Sequence, residues 1–151
     1  LVYGFRADFR KHPQDFELAE KHFLQFIKYS SESSWPRIDL SWVYFSKREF
    51  ANMLAILQPI YDQQQDNPWY LNMYGLALMN SEKIEDAVDH LTRANELARD
   101  IGVSQWDKVY PGNSPADWEA GVQEFRKAVG LNLQLAEKRL QIDGDKDLNN
   151  T

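Results

Sequence analysis

The chain has 151 residues, 43% hydrophobic and 13% aromatic, which is enough for one domain with its own core and too apolar for disorder throughout. Its 23 acidic against 17 basic residues give a net charge of −6, which excludes a nucleic-acid binder driven by phosphate contacts. The lack of cysteine excludes disulfides, thiolate metal sites and thiol nucleophiles, and no apolar run reaches the length of a membrane span.

The start Leu1-Val2-Tyr3-Gly4-Phe5-Arg6 is too short and too soon charged for a signal peptide. The chain begins without methionine, and the first helical stripe, at Phe16, leaves barely room for a partner helix before it. A piece of a longer, soluble protein is therefore expected. The cytoplasm fits first, and the periplasm stays open because targeting information could precede Leu1.

From Phe16 onward a four-residue chord recurs every 34 residues: Phe16, Ala19, Phe23 and Phe26; Phe50, Met53, Leu57 and Ile60; Ile84, Ala87, Leu91 and Ala94; and more faintly Trp118, Gly121, Phe125 and Ala128. Offsets of 0, 3, 7 and 10 place each chord on one stripe of an α-helix. Recurrence at this period signals stacked helix hairpins, with each chord on the second helix of its pair. The first helices are read from Trp35, Leu40, Ser41 and Tyr44, which return as Trp69, Tyr74, Gly75 and Leu78. Small residues at Ser41 and Gly75, facing Ala19, Ala87 and Gly121, let paired helices approach closely.

The hairpin turns are expected at 11–15, 45–49 and 79–83, with Ser46 and Ser81 as N-caps and Glu49 and Glu82 in the first turns. Breakers between hairpins lie at 30–36, 65–69 and 100–102. Pro59 predicts a kink or an early helix end near Gln58. After Gly102 a short helix around Trp106 and Tyr110 stops at the Pro111–Pro115 segment, and a long amphipathic helix is expected from Ala116 to Gln141, closing the stack. The tail from Asp143 is expected to fray.

The unit Leu71-x2-Tyr74-Gly75-x2-Leu78, followed by Ala87-x3-Leu91-x2-Ala94, resembles the tetratricopeptide repeat family, and the resemblance spans roughly residues 16–128. It departs from the family at Met53, where the pattern has a small residue, and looser packing is expected there. The resemblance implies an all-α, right-handed solenoid: three repeats in residues 1–100, the first truncated, a degenerate fourth repeat with a long C-terminal capping helix in 101–141, and a flexible tail in 142–151. It also implies a concave groove, formed by the first helices, that holds an extended or helical peptide from a protein partner. That groove would be lined by Ile38, Trp42, Phe45, Asn72, Leu76, Met79 and Asn80. The Lys and Asn carboxylate clamp of chaperone-binding members is not expected, because the corresponding places carry Asp8, Asp39, Trp42 and Met73. Apolar partner side chains would meet Trp42, Phe45, Leu76 and Met79, while Asn72 and Asn80 bond the partner's backbone.

His12, His22 and His90 have no second ligand at metal spacing, and no nucleophile or acid–base pair stands out, so neither a metal nor a cofactor nor catalysis is expected. The acidic and glycine-containing 143–147 segment lacks the spacing of a calcium loop. Eight acids between Asp62 and Asp100 face three bases and read as a solvated outer surface. The expected function is a non-catalytic scaffold for a protein or peptide partner. The alternatives are homodimerisation through the long terminal helix and the targeting arm of a larger enzyme.

Overall fold

The computed structural model describes residues 13–109 and 115–148; the expectations for Asp8, Lys11, His12 and Tyr110–Ser114 lie outside these residues. Among the described residues the chain is all-helical and has no strand. Helices α1 (Pro13–Tyr29), α2 (Trp35–Lys47), α3 (Phe50–Leu57), α4 (Pro68–Met79), α5 (Ile84–Arg99), α6 (Val103–Val109) and α7 (Pro115–Leu148) follow one another and pack into one core.

The 34-residue period is written into the backbone as well as the side chains. Arg48 and Glu82, 34 residues apart, both take left-handed conformations, with φ of 62° and 61°. In each turn the next amide donates to a carbonyl five residues back, Glu49 N to Tyr44 O at 2.8 Å and Lys83 N to Leu78 O at 3.0 Å. These bonds satisfy carbonyls that a helix end leaves without partners, and they close α2–α3 and α4–α5 into hairpins of the same form. The expected serine caps are not used. Ser46 Oγ donates back to the Trp42 carbonyl within α2, and the N-cap positions of α3 and α5 fall on Glu49 and Lys83, without a side-chain cap bond. The chain reverses at the left-handed residue, so each helix starts later than the serine.

Gly75 shows how close the hairpin is drawn: a Cβ there would lie 2.6 Å from Leu91 Cγ, and Ala87 and Leu91 are fully buried. In α2–α3, Ser41 is also buried and its hydroxyl donates to the Ile38 carbonyl at 2.6 Å. Met53 is fully buried too, so the larger side chain at the position of a small one has been absorbed into the core. Lacking an amide hydrogen, Pro59 cannot extend α3, which ends at Leu57 and tightens into a 3-10 helix over Gln58–Gln63. The Tyr70 hydroxyl takes up the Leu57 carbonyl at 3.1 Å and Tyr74 donates to Gln58 Oε1 at 2.7 Å, joining that end of the second hairpin to α4.

Aromatic rings run along one end of the helices. Trp35 and Trp69, again 34 residues apart, meet edge to face at 5.7 Å; Phe125 stacks on Trp69 at 5.1 Å, and Trp106 lies 6.1 Å from both Trp69 and Phe125. Gly121 makes room for Trp106, since a Cβ would come within 2.4 Å of Trp106 Cε2. At the other end, Lys47 Nζ bridges Glu20 at 2.7 Å and Glu49 at 2.9 Å, tying α1 to the α2–α3 turn.

The terminal region departs from the expected fourth repeat. α7 reaches Leu148, through the segment expected to fray, because a single helical glycine such as Gly144 costs only about 1 kcal/mol relative to alanine. Asn132 meets Asn72 and Arg139 meets Met79, so α7 runs parallel to α4; Arg126 meets Ala98 and Arg139 meets Glu82, so it runs antiparallel to α5. It thus lies where the first helix of a following pair would lie, whereas its opening chord reads as a second helix. The reason is that α6 spans only seven residues. Of that chord, Gly121 is buried and Trp118 and Phe125 are half-buried, but Ala128 faces solvent.

Candidate functional site

The seven groove residues divide sharply once α7 is in place. On α4, Leu76 and Met79 are buried and Asn72 is only 8% exposed. A buried amide must find a partner, and Asn72 Oδ1 accepts from Asn132 Nδ2 of α7 at 2.9 Å. The Met79 carbonyl accepts from Arg139 Nη1 at 3.0 Å, while Arg139 Nη2 reaches Glu82 at 3.1 Å. The expectation of an open surface at Asn72, Leu76 and Met79 is therefore corrected: the protein's own terminal helix and core occupy that place. Asn80 is half-buried, and its Nδ2 donates to the Leu76 carbonyl at 2.8 Å, so this amide completes a helix end.

On α2, Ile38 is buried at 2% exposure, so it packs in the core instead of lining a groove. Trp42 and Phe45 are half-buried, Phe45 meeting Phe50 edge to face at 6.2 Å across the hairpin. The structure therefore leaves Trp42, Phe45 and Asn80 as the expected site residues that reach the surface, on helices α2 and α4 and the turn that follows α4.

The most elaborate polar fixture was not legible as a site. Arg126 of α7 donates to three main-chain carbonyls at the end of α5, Ala98 at 3.0 Å, Arg99 at 2.8 Å and Ile101 at 2.7 Å. A planar guanidinium with five donors suits such a cluster of carbonyls, which the end of a helix leaves unsatisfied. Together with Asn132 and Arg139 it fixes α7 along about two-thirds of its length. These partners lie roughly 25 to 60 residues apart in sequence, beyond the reach of any local pattern.

Titratable groups answer to packing. His90 Nδ1 lies 2.7 Å from the Asp86 carbonyl, which can only accept, so Nδ1 carries the hydrogen and Nε2 accepts from the Tyr61 hydroxyl at 3.0 Å. His22 lies instead in a shallow cleft on α1 of about 360 Å3, with Gln25, Phe26, Tyr29 and Ser30. Burial, followed by the nearby Glu20 carboxylate, pushes the Tyr44 phenol up to about 12. Hydrogen bonds to Glu20 and Glu49 raise the Lys47 ammonium, and the same contact with Lys47 lowers Glu49. Burial also raises Tyr70 and Tyr74.

The eight acids from Asp62 to Asp100 are all exposed, and Arg93 bridges one of them, Asp66, at 2.8 Å. Among the described residues no group of three or more His, Asp or Glu side chains is arranged to hold a metal ion, and no helix is long and apolar enough to cross a membrane. No family model, curated protein or solved structure matches the chain.

Proposed function

We propose that the chain is a non-catalytic protein-binding module, a right-handed solenoid of tetratricopeptide-like hairpins that receives an extended or helical partner segment. The observation that supports this reading is the repetition of the turn itself, a left-handed residue and the same closing bond at Arg48–Glu49 and Glu82–Lys83. Identical hairpins stacked in register build an extended surface instead of a closed pocket, and such surfaces serve partners. The partner segment lies over α2, where Trp42 and Phe45 offer partly exposed aromatic area, with Asn80 at the edge of the next hairpin. Apolar side chains on the partner match this surface.

The test compares affinity capture from the source cell by the wild-type chain and by Trp42→Glu, with circular dichroism confirming equal helicity. A protein retained by the first and lost by the second supports the reading. Identical captured sets on both baits sink it. Met79 is unsuitable as a probe, because at 3% exposure a charge there would disturb the fold before any partner.

A further inference from the structure

α7 is apolar on two opposite sides. The inner stripe comprises Val122, Val129 and Ala136, buried at seven-residue spacing, with Phe125, Leu133 and Leu140 half-buried beside them. The outer stripe comprises Leu131, Leu135 and Ile142, which are 55%, 50% and 45% exposed. At 3.6 residues per turn the two stripes point roughly 140° apart, so no single neighbour covers both. A helix packed on one side needs only the first stripe, and an aligned row of large apolar side chains left in water marks an interaction face.

The charges along this outer face indicate what covers it. Exposed Glu124 precedes the leucines by two turns and exposed Lys138 follows them. Two copies aligned parallel would set Glu124 against Glu124 and Lys138 against Lys138. Two copies aligned antiparallel, with the two-fold axis between Leu131 and Leu135, set each Leu131 against the partner's Leu135. The same arrangement brings each Glu124 within one turn of the partner's Lys138, twice over. The face is complementary to itself in one orientation only.

We propose that the outer face of α7 is an antiparallel homodimer interface, centred on Leu131 and Leu135 and oriented by Glu124 and Lys138. It is separate from the α2 surface, and neither reading depends on the other. Sedimentation equilibrium of the whole chain from micromolar to near-millimolar concentration tests it. The expected result is a concentration-dependent dimer that Leu131→Gln with Leu135→Gln abolishes at unchanged helicity, both side chains being half in water. Glu124→Lys or Lys138→Glu alone should weaken dimerisation about tenfold, and the two together should restore it, because attraction replaces repulsion at both symmetric pairs. A strictly monomeric mass overturns the pairing and leaves the face to a partner of different sequence. A dimer indifferent to the leucine variants, or charge variants without mutual rescue, overturns it equally.

Discussion

Helices α2 and α4 occupy the same place in two hairpins 34 residues apart, yet they are enclosed very differently. All twelve residues of α4 are buried, whereas six of the thirteen in α2 are. The turn geometry, the edge-to-face tryptophans and the close approach of the paired helix are common to both. What differs is the flank. Over α4 lies α7, anchored through Asn132 and Arg139, and the corresponding positions of α2 keep partial contact with water. Equivalent sequence positions in a repeat thus acquire unlike roles through their neighbours in the stack, and a surface deduced from one repeat does not carry over to the next.

The sharpest way to break this comparison is to place a charge at its two equivalent positions. Leu76→Glu puts a carboxylate into the interior and should cost on the order of 3–5 kcal/mol, while Trp42→Glu, whose ring is half in water, should cost about 1–2 kcal/mol. Urea unfolding followed by circular dichroism measures both. Equal losses would mean that α4 is no better enclosed than α2.

Next in size is the removal of the clamp that seats α7. Arg126→Ala deprives three carbonyls at the end of α5 of their donor and should destabilise by about 2–3 kcal/mol, as expected for charged hydrogen bonds to partly buried groups. Hydrogen exchange should show lost protection in α4 and α7 with α2 unchanged. Arg37, which makes a single such bond from α2 to the Ile56 carbonyl at 3.2 Å, should matter less on replacement by alanine. A reversed order would show that the α7 seat does not depend on its arginine.

Alkaline pH reaches both helices through their phenols. Tyr44 on α2 is raised to about 12, and Tyr70 and Tyr74 on α4 are raised by burial. A raised folded value means the fold favours the protonated phenol. That contribution to stability is complete below the unfolded value near 10 and is lost as pH rises toward 12 and beyond. Helicity should hold to about pH 10 and fall between 10 and 12, with tyrosinate absorbance at 295 nm rising over the same interval. Full phenol ionisation at constant helicity would show that burial of these rings contributes little.

The contrast also explains how far the sequence could be read. The hairpins were legible because their signals are local: the 34-residue chord, small residues at Ser41 and Gly75, and a proline at 59 that no α-helix can pass undisturbed. The position of α7 was not, because it rests on contacts such as Asn132 to Asn72 across 60 residues and on the shortness of α6. The expected groove inherited this gap: Asn72, Leu76 and Met79 fit the family pattern, but the helix that covers them carries no repeat signature. Ser46 and Ser81 looked like caps because serine favours helix starts. The left-handed turns at Arg48 and Glu82 instead displaced both starts by several residues.

The smallest effect separates the two helices at their first residues. Asn67 caps α4 with its side-chain oxygen, accepting from the Trp69 and Tyr70 amides at 3.1 and 3.2 Å, and its own amide donates to Gln64. Ser34, at the start of α2, has helical backbone angles and no side-chain cap bond. Its hydroxyl satisfies no amide of the first turn, although both residues belong to types favoured at this position. Asn67→Ala should therefore cost about 1 kcal/mol and Ser34→Ala only a few tenths. Thermal unfolding of the two variants measures the difference directly. Equal shifts would mean that the cap at α4 contributes no more than its missing counterpart, and that α4 owes its enclosure to packing alone.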